Sequence, residues 1–493
     1  MNISTGPVSR AALGLRRAFI ALCCAAAAQV IAQQGGLPGI NLLPAIPPRE
    51  AVPPGAGANR ADTEAVIESR KSHAIPALEI IGFDFLLNRI NRRKSEDYDV
   101  SGASIRRNLR GPWVVDDDPY KVNQLGHPYQ GSMYHGFARS AGLNYWESLG
   151  YTFAGSLAWE IAGEKTPPSK NDQINTGIGG SFLGEALFRM SSLVLEHDST
   201  PRFWRELAAA AISPSTGFNR LAFGDRFTPV FASRDPAYSS RLQVGFSGTA
   251  QNRAGTSTTG LKRSEALVDF SMDYGLPGKA DYQYRRPFDY FSFQGTATTA
   301  NGFENLTTRG LLLGRDYAVG NNYRGVVGLY GSYDYFAPQI FRVSSTALSV
   351  GTTGQAWLSN AIALQGTVLL GVGYTAVGTL KGVPGDRDYN YGTSPQALIA
   401  LRMSFGDKAA IDLTARDYLV PHSAEQRGRT NVARLEAAAT WRVSGRHGVS
   451  IRYVGTRRDA AFPDLADLTQ IRGTVGIYYT LLGHDSFGAV EWR

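Results

Sequence analysis

The chain has 493 residues, 43% hydrophobic and 11% aromatic, with 50 basic and 42 acidic side chains and a net charge of +8. Its two cysteines, Cys23 and Cys24, both fall in the first 32 residues, so loss of that segment leaves no disulfide, thiolate metal site or cysteine nucleophile. No dense Lys/Arg run with interleaved aromatics occurs, which leaves nucleic-acid binding without support.

Met1 to Ala32 reads as a secretory signal peptide with cleavage near Ala32. Arg10, Arg16 and Arg17 form a basic start, Ala18 to Ala28 a short apolar run, and Val30-Ile31-Ala32 the small cleavage residues. A membrane anchor needs a longer run, and Leu22 before Cys23 is a poor lipidation context. Removing three arginines and no acid brings the mature chain to +5. Residues 33–75 are rich in Pro, Gly and Ala and predict a linker.

Residues 76–230 predict a helical domain. Pro76 opens an amphipathic helix that ends before Ser95. The run Asp116-Asp117-Asp118 lacks the spacing of a calcium loop and reads as a solvated turn. Between His127 and Arg189 the chain predicts three helices, and a fourth after Thr200-Pro201. The first starts near Pro128 and stops at Gly142, and the third runs from Gly179 to Leu195. The second, Asn144 to Gly163, carries the most information. Asn144 and Glu147 are spaced for a capping box, and Gly163 for a terminating C′ glycine. Steps of four sort it into an apolar row (Tyr145, Leu149, Phe153, Leu157, Ile161), a flat row (Gly150, Ala154, Ala158, Ala162) and a polar row (Ser148, Thr152, Ser156, Glu160). Such a helix is expected to be enclosed by protein. The apolar stretches Leu143 to Trp159 and Ile178 to Leu195 are short for a membrane span and carry charges.

From Arg241 onward the pattern changes to strands. Leu242, Val244 and Phe246 alternate with Gln243, Ser247 and Thr249; Val268, Phe270, Met272 and Tyr274 alternate with Asp269, Ser271 and Asp273. The same period recurs at Ile411 to Arg416, Arg434 to Val443 and Ile471 to Leu481. The expected fold is therefore α+β: an N-terminal helical domain followed by an antiparallel outer-membrane β-barrel of about twelve strands over 241–493. Export, strand number and aromatics near strand ends (Tyr274, Tyr290, Tyr335, Tyr391, Tyr418, Trp441) favour the membrane barrel over a soluble one. The polar face (Asp269, Asp273, Asp412, Arg416, Arg434, Glu436, Arg472) should line the lumen. A lumen of this size calls for a filling, and the helices from Pro128 to Leu195 are the expected plug.

The segments HPYQGSMY, ARSAGLNYWESLGYTFAGSLAWEIAGE, PSKND, GGSFLGEALFR and the NRL at Asn219 resemble the signature of a bacterial domain of unknown function, number 3943. The resemblance covers about Phe83 to Leu221. It implies an uncharacterised, envelope-associated family and brings no activity and no catalytic residues.

His127, Glu147, Glu160, Glu164, Asp172 and Glu185 are the candidate catalytic residues, with His135 nearby; all lie near helix ends or in polar rows. No HExxH pair, GxSxG elbow or phosphate loop occurs, and no cofactor or metal is expected. The plainer expectation is that these groups hydrogen-bond between helices and to the lumen wall. Glu160, at a helix C-terminus, needs compensation from Arg139, Arg189 or a lumen arginine, or else from a metal held with His127. Two functions follow: a plugged pore, transporter or envelope-structural protein, or a lipid- or glycan-modifying enzyme using His127 and the helical carboxylates. The expected partner is outer-membrane lipid, with a small-molecule or lipid ligand left open.

Overall fold

The computed structural model describes residues 66–492 apart from 198–199, 254–263, 339–340, 379–387, 422–427, 464, 486 and 488–489. The expected signal peptide with its two cysteines, and the expected linker up to residue 65, lie outside the described residues. Twelve strands follow the helices: β1 Tyr238–Arg253, β2 Ser264–Tyr274, β3 Phe291–Thr298, β4 Gly302–Val319, β5 Tyr323–Phe336, β6 Val343–Ser359, β7 Ile362–Gly378, β8 Tyr389–Phe405, β9 Ala409–Pro421, β10 Arg429–Ser444, β11 His447–Phe462 and β12 Leu465–Leu482. Each pairs antiparallel with the next, and β12 closes on β1. Closure leaves no sheet edge exposed.

The alternating pattern sorts outward from inward. Leu242, Val244, Phe246, Leu348, Val350, Val372, Leu413, Leu435 and Ile477 are exposed on the outer face. Gln243, Asp269, Arg416, Arg434 and Arg472 are buried on the other. A barrel that is apolar outside and polar inside is of the outer-membrane type.

The lumen fills itself. Arg241 on β1 reaches across to Asp412 on β9 at 2.6 Å, and Arg402 on β8 meets the same carboxylate at 2.7 Å and Asp273 on β2 at 3.5 Å. Arg452 on β11 pairs with Asp269 on β2 at 3.2 Å, Arg434 with Glu436 at 2.9 Å, and Tyr418 on β9 donates to Asp334 on β5 at 2.6 Å. Leu276, Tyr290, Tyr330 and Leu369 pack into an apolar layer nearby. A cavity of about 100 Å³ remains beside Arg241, Arg402 and Asp412. Long arginines and tyrosines bridge a width that short side chains would leave open.

Among the described residues, after a helical stretch at 66–70, eight helices precede the barrel: α1 Ala74–Asn91, α2 Gly102–Asn108, α3 His127–Ser140, α4 Tyr145–Ala162, α5 Lys170–Ile174, α6 Gly180–Glu196, α7 Arg202–Ile212 and α8 Pro214–Phe223. A π turn over Val122–Gly126 leads into α3, and a second over Asn175–Gly179 joins α5 to α6. The third helix, expected to start at Gly179, therefore begins earlier. Lys170–Glu196 is one helix of 27 residues, long and apolar enough to cross a membrane, and mostly buried. It crosses α3 at glycines: a Cβ on Gly131 would stand 1.9 Å from the Thr176 carbonyl oxygen, and one on Gly180 would stand 2.6 Å from the Gly131 Cα.

The helices do not enter the lumen. Phe182 lies against Gly331, where a Cβ would come 2.4 Å from its ring, and Gly179 lies against Thr346. Tyr333 donates to the Gln124 carbonyl, and Asn175 donates to the Tyr391 hydroxyl at 3.2 Å. Tyr333 and Thr346 are cross-strand partners, as are Ala376 and Tyr391. By strand parity they share a face with the exposed Val327, Leu348 and Leu370. That face is outside. The helices seat on the outer wall, where Met272, Tyr274, Phe291, Phe293, Tyr333, Tyr335, Tyr389 and Tyr391 join Phe182, Leu183 and Met190 in one core. The plug expectation fails because the lumen is already occupied and this aromatic wall supplies the apolar contact. The strand-end aromatics are redistributed accordingly. Tyr274, Tyr335 and Tyr391 lie in the seat, Tyr290 and Tyr418 fill the lumen, and Trp441 is exposed.

Helix α4 begins with the expected capping box, Asn144 accepting from the Trp146 and Glu147 amides and Glu147 accepting from Asn144. Its end differs. Gly163 has φ −87°, and glycine is needed there because a Cβ would meet the Trp159 indole at 2.5 Å. The polar row Ser148, Thr152, Ser156 and Glu160 is buried, whereas Gly150, Ala154, Leu157 and Ala158 are exposed. Helix α1 is turned likewise, exposing Leu78, Ile81, Phe85, Leu86 and Ile90. This reverses the usual order of a helix at a water-facing surface.

Candidate functional site

Three helices bring His127, Glu160 and Asp172 together. His127 starts α3 just after one π turn, Glu160 lies in the last turn of α4, and Asp172 lies in α5 just before the other π turn. Their relative exposures are 5%, 3% and 2%. One ligand atom from each lies within 4.8 Å of the others, and His127 Nε2 stands 3.7 Å from Asp172 Oδ2. π turns concentrate at functional sites because they displace one residue from the regular ladder.

A second layer fixes these groups. The Thr176 hydroxyl hydrogen-bonds His127 Nδ1 at 3.2 Å and so leaves Nε2 aimed at the carboxylates. The Ser169 amide donates to Glu160 Oε2 at 2.7 Å. Asn171 Nδ2 donates to Asp172 Oδ1 at 2.9 Å and to Asp116 Oδ1 at 2.8 Å, while its Oδ1 accepts from the Asp116 amide at 3.1 Å. Asn123 donates to Asp116 and, at 2.7 Å, to the Tyr389 hydroxyl, which fastens the site to the barrel. Asp116 is thus the neighbour of the site and not the solvated turn residue expected.

The site has no counter-charge of the usual kind. Among the described residues no lysine or arginine pairs with Glu160 or Asp172. Burial, then the Glu164 charge, pushes the Glu160 carboxyl well above the ordinary carboxylate range. Burial, then Asp116 and Glu160, does the same to Asp172. Burial lowers His127 to about 4. Without a cation the cluster holds protons, and a divalent cation would take their place. Zinc bonds to imidazole and carboxylate near 2.0–2.2 Å place neighbouring ligand atoms roughly 3.4 Å apart, near the 3.7 Å between His127 Nε2 and Asp172 Oδ2.

The other candidates go elsewhere. Glu147 serves the capping box and pairs with Lys71 at 2.8 Å near the surface. Glu164 accepts from the Trp159 indole at 2.6 Å, and burial with the Asp118 charge raises it to about 7. Glu185 binds Arg139 at 2.7 Å, Arg189 at 2.8 Å and His135 at 3.1 Å, and Arg189 continues to Asp289 at 2.8 Å. Burial opposes its charge, yet those cations hold Glu185 far below the usual range. Arg139 and Arg189 therefore serve Glu185, not Glu160 as expected.

The sequence reading missed Asp116, Asn171, Thr176 and the tyrosines Tyr389 and Tyr391. The available signal was a polar helix row ending in a carboxylate with no basic residue at helical spacing.

Residues 112–215 match the family model described as Domain of unknown function (DUF3943). The match lies within the helical segment, from just before the first π turn to the start of α8. All three site residues fall inside the match, as does Asp116. No curated protein matches the chain. Among solved structures, the NanC porin is 5% identical at a TM-score of 0.26, covering 48% of this chain and 98% of its own. The outer membrane channel DcaP of Acinetobacter baumannii is 9% identical at 0.24, covering 50% and 96%. The translocator domain of autotransporter NalP from Neisseria meningitidis is 12% identical at 0.22, covering 49% and 86%. Likeness at this level says nothing about cargo or activity.

Proposed function

We propose that this protein is an outer-membrane metalloenzyme. In this reading the barrel is a closed scaffold, and the DUF3943 domain on its outer wall carries a divalent-cation centre built from His127, Glu160 and Asp172. One observation carries the proposal: three buried ligand groups converge with no lysine or arginine among the described residues to balance them. Three protein ligands leave a coordination position for water or substrate, the pattern of catalytic rather than structural sites. When bound, such a cation polarises an ester or phosphoryl oxygen and lowers the pKa of water. His127 and the two carboxylates would hold it, Thr176 and Asn171 would orient them, and their burial would exclude bulk water. The substrate class this favours is membrane lipid, since helix α1 turns Leu78, Ile81, Phe85, Leu86 and Ile90 outward.

The test is metal content. Protein purified in detergent without chelator and loaded with Zn²⁺ or Mn²⁺ should retain the ion, and His127→Ala and Asp172→Asn should lose it while staying folded. Retention by both variants, or none by the parent, overturns the proposal. The pore reading is supported by the cavity of about 100 Å³ in the lumen. It requires conductance in planar bilayers from the intact protein, whereas the scaffold reading expects none.

A further inference from the structure

A crevice runs between the long helix and the bare outer wall of β5–β7. Ile174 and Ile178 form its helical side, and Leu329, Leu348, Val350 and Val372 form much of the barrel side. Its volume is about 650 Å³, within the roughly 300–1,000 Å³ of small-ligand pockets. The paired positions Leu348–Val372 and Val350–Leu370 lie near the middle of β6 and β7. Val350 remains 62% exposed and Val372 52% exposed. At that height an outer-membrane-type barrel is surrounded by hydrocarbon.

We infer that this crevice holds an acyl chain of a membrane phospholipid. The wall at this height excludes water and leaves hydrocarbon as the only neighbour, and side-chain hydrogen-bonding groups are few along the lining. Thr176, between the two isoleucines, hydrogen-bonds His127, so the crevice and the buried centre share one helical turn. As a lipid site the crevice stands on its own geometry. As the substrate-holding part of the enzyme it rests on the metal-centre reading above.

The experiment reconstitutes the full chain in vesicles of phosphatidylethanolamine and phosphatidylglycerol, re-extracts it in detergent and measures retained phospholipid by mass spectrometry. The parent should carry a bound phospholipid. Val350→Trp with Val372→Trp, which fills the crevice from exposed positions, should lose it. Ile477→Trp, on the uncovered wall at β12, should keep it. His127→Ala should lose metal and keep phospholipid, so failure of the metal centre is read separately from failure of the lipid site. A parent without phospholipid, or a filled variant that retains as much as the parent, overturns the inference.

Discussion

Two buried carboxylate clusters lie within the same helical bundle and are built in opposite ways. Around Glu185, Arg139 and Arg189 surround one acid, Asp289 balances the second arginine, and His135 completes the shell. Around Glu160 and Asp172 the neighbours are other acids, amides, hydroxyls and a neutral imidazole. The first is charge-balanced and joins the helices to the barrel segment before β3. The second has no lysine or arginine partner among the described residues. Burial alone does not separate a structural acid from a functional one; the neighbouring charges do.

The same substitution at both clusters gives the sharpest contrast, and its larger half is Glu185→Gln. It strands Arg139 in the interior, while Arg189 keeps Asp289, and should cost about 3–5 kcal/mol, read as a drop in thermal unfolding temperature in detergent. Next in size is Gly131→Ala. Its methyl group would press on the Thr176 carbonyl, prising apart the two π turns at a cost of about 1–3 kcal/mol and lowering metal retention. An effect on stability without one on metal binding would separate the helix crossing from the site.

Asp84 extends the comparison to a carboxyl outside both clusters. It accepts from Tyr134, and burial raises it to about 7, against roughly 3.9 in an unfolded chain. A raised folded pKa means the native state binds the proton more tightly. The stabilisation is complete below about pH 4 and is lost as pH rises to about 7. Asp84→Asn should flatten this decline and leave the protein about 1–2 kcal/mol more stable than the parent at pH 8. Equal pH profiles for parent and variant would show that Asp84 is ionised in the native state. The smallest effect is expected from Glu160→Gln. An amide replaces a carboxyl that burial keeps protonated, so stability should change by less than about 1 kcal/mol while metal retention falls. A loss as large as that of Glu185→Gln would make both clusters structural.

What the sequence determined by itself was everything set by local period and composition. Residues two apart in a strand share a face whatever they pack against, so twelve strands, closure and the lumen positions of Asp269, Asp412 and Arg434 were legible. The Asn144–Glu147 box was legible because its partners are three residues apart. Only the tertiary structure decided which face each helix buries. Periodicity sorts Ser148, Thr152, Ser156 and Glu160 into a row, but whether that row points inward depends on what lies outside. In α4 that row points inward and the flat row of Gly150, Ala154 and Ala158 outward, whereas α1 turns Leu78, Ile81, Phe85 and Ile90 outward. The convergence of His127, Glu160 and Asp172 was likewise hidden. They come from three helices, and their meeting is fixed by the glycine crossing at Gly131 and Gly180 and by the seat on the outer wall. Those are contacts between distant segments, and no local pattern encodes them.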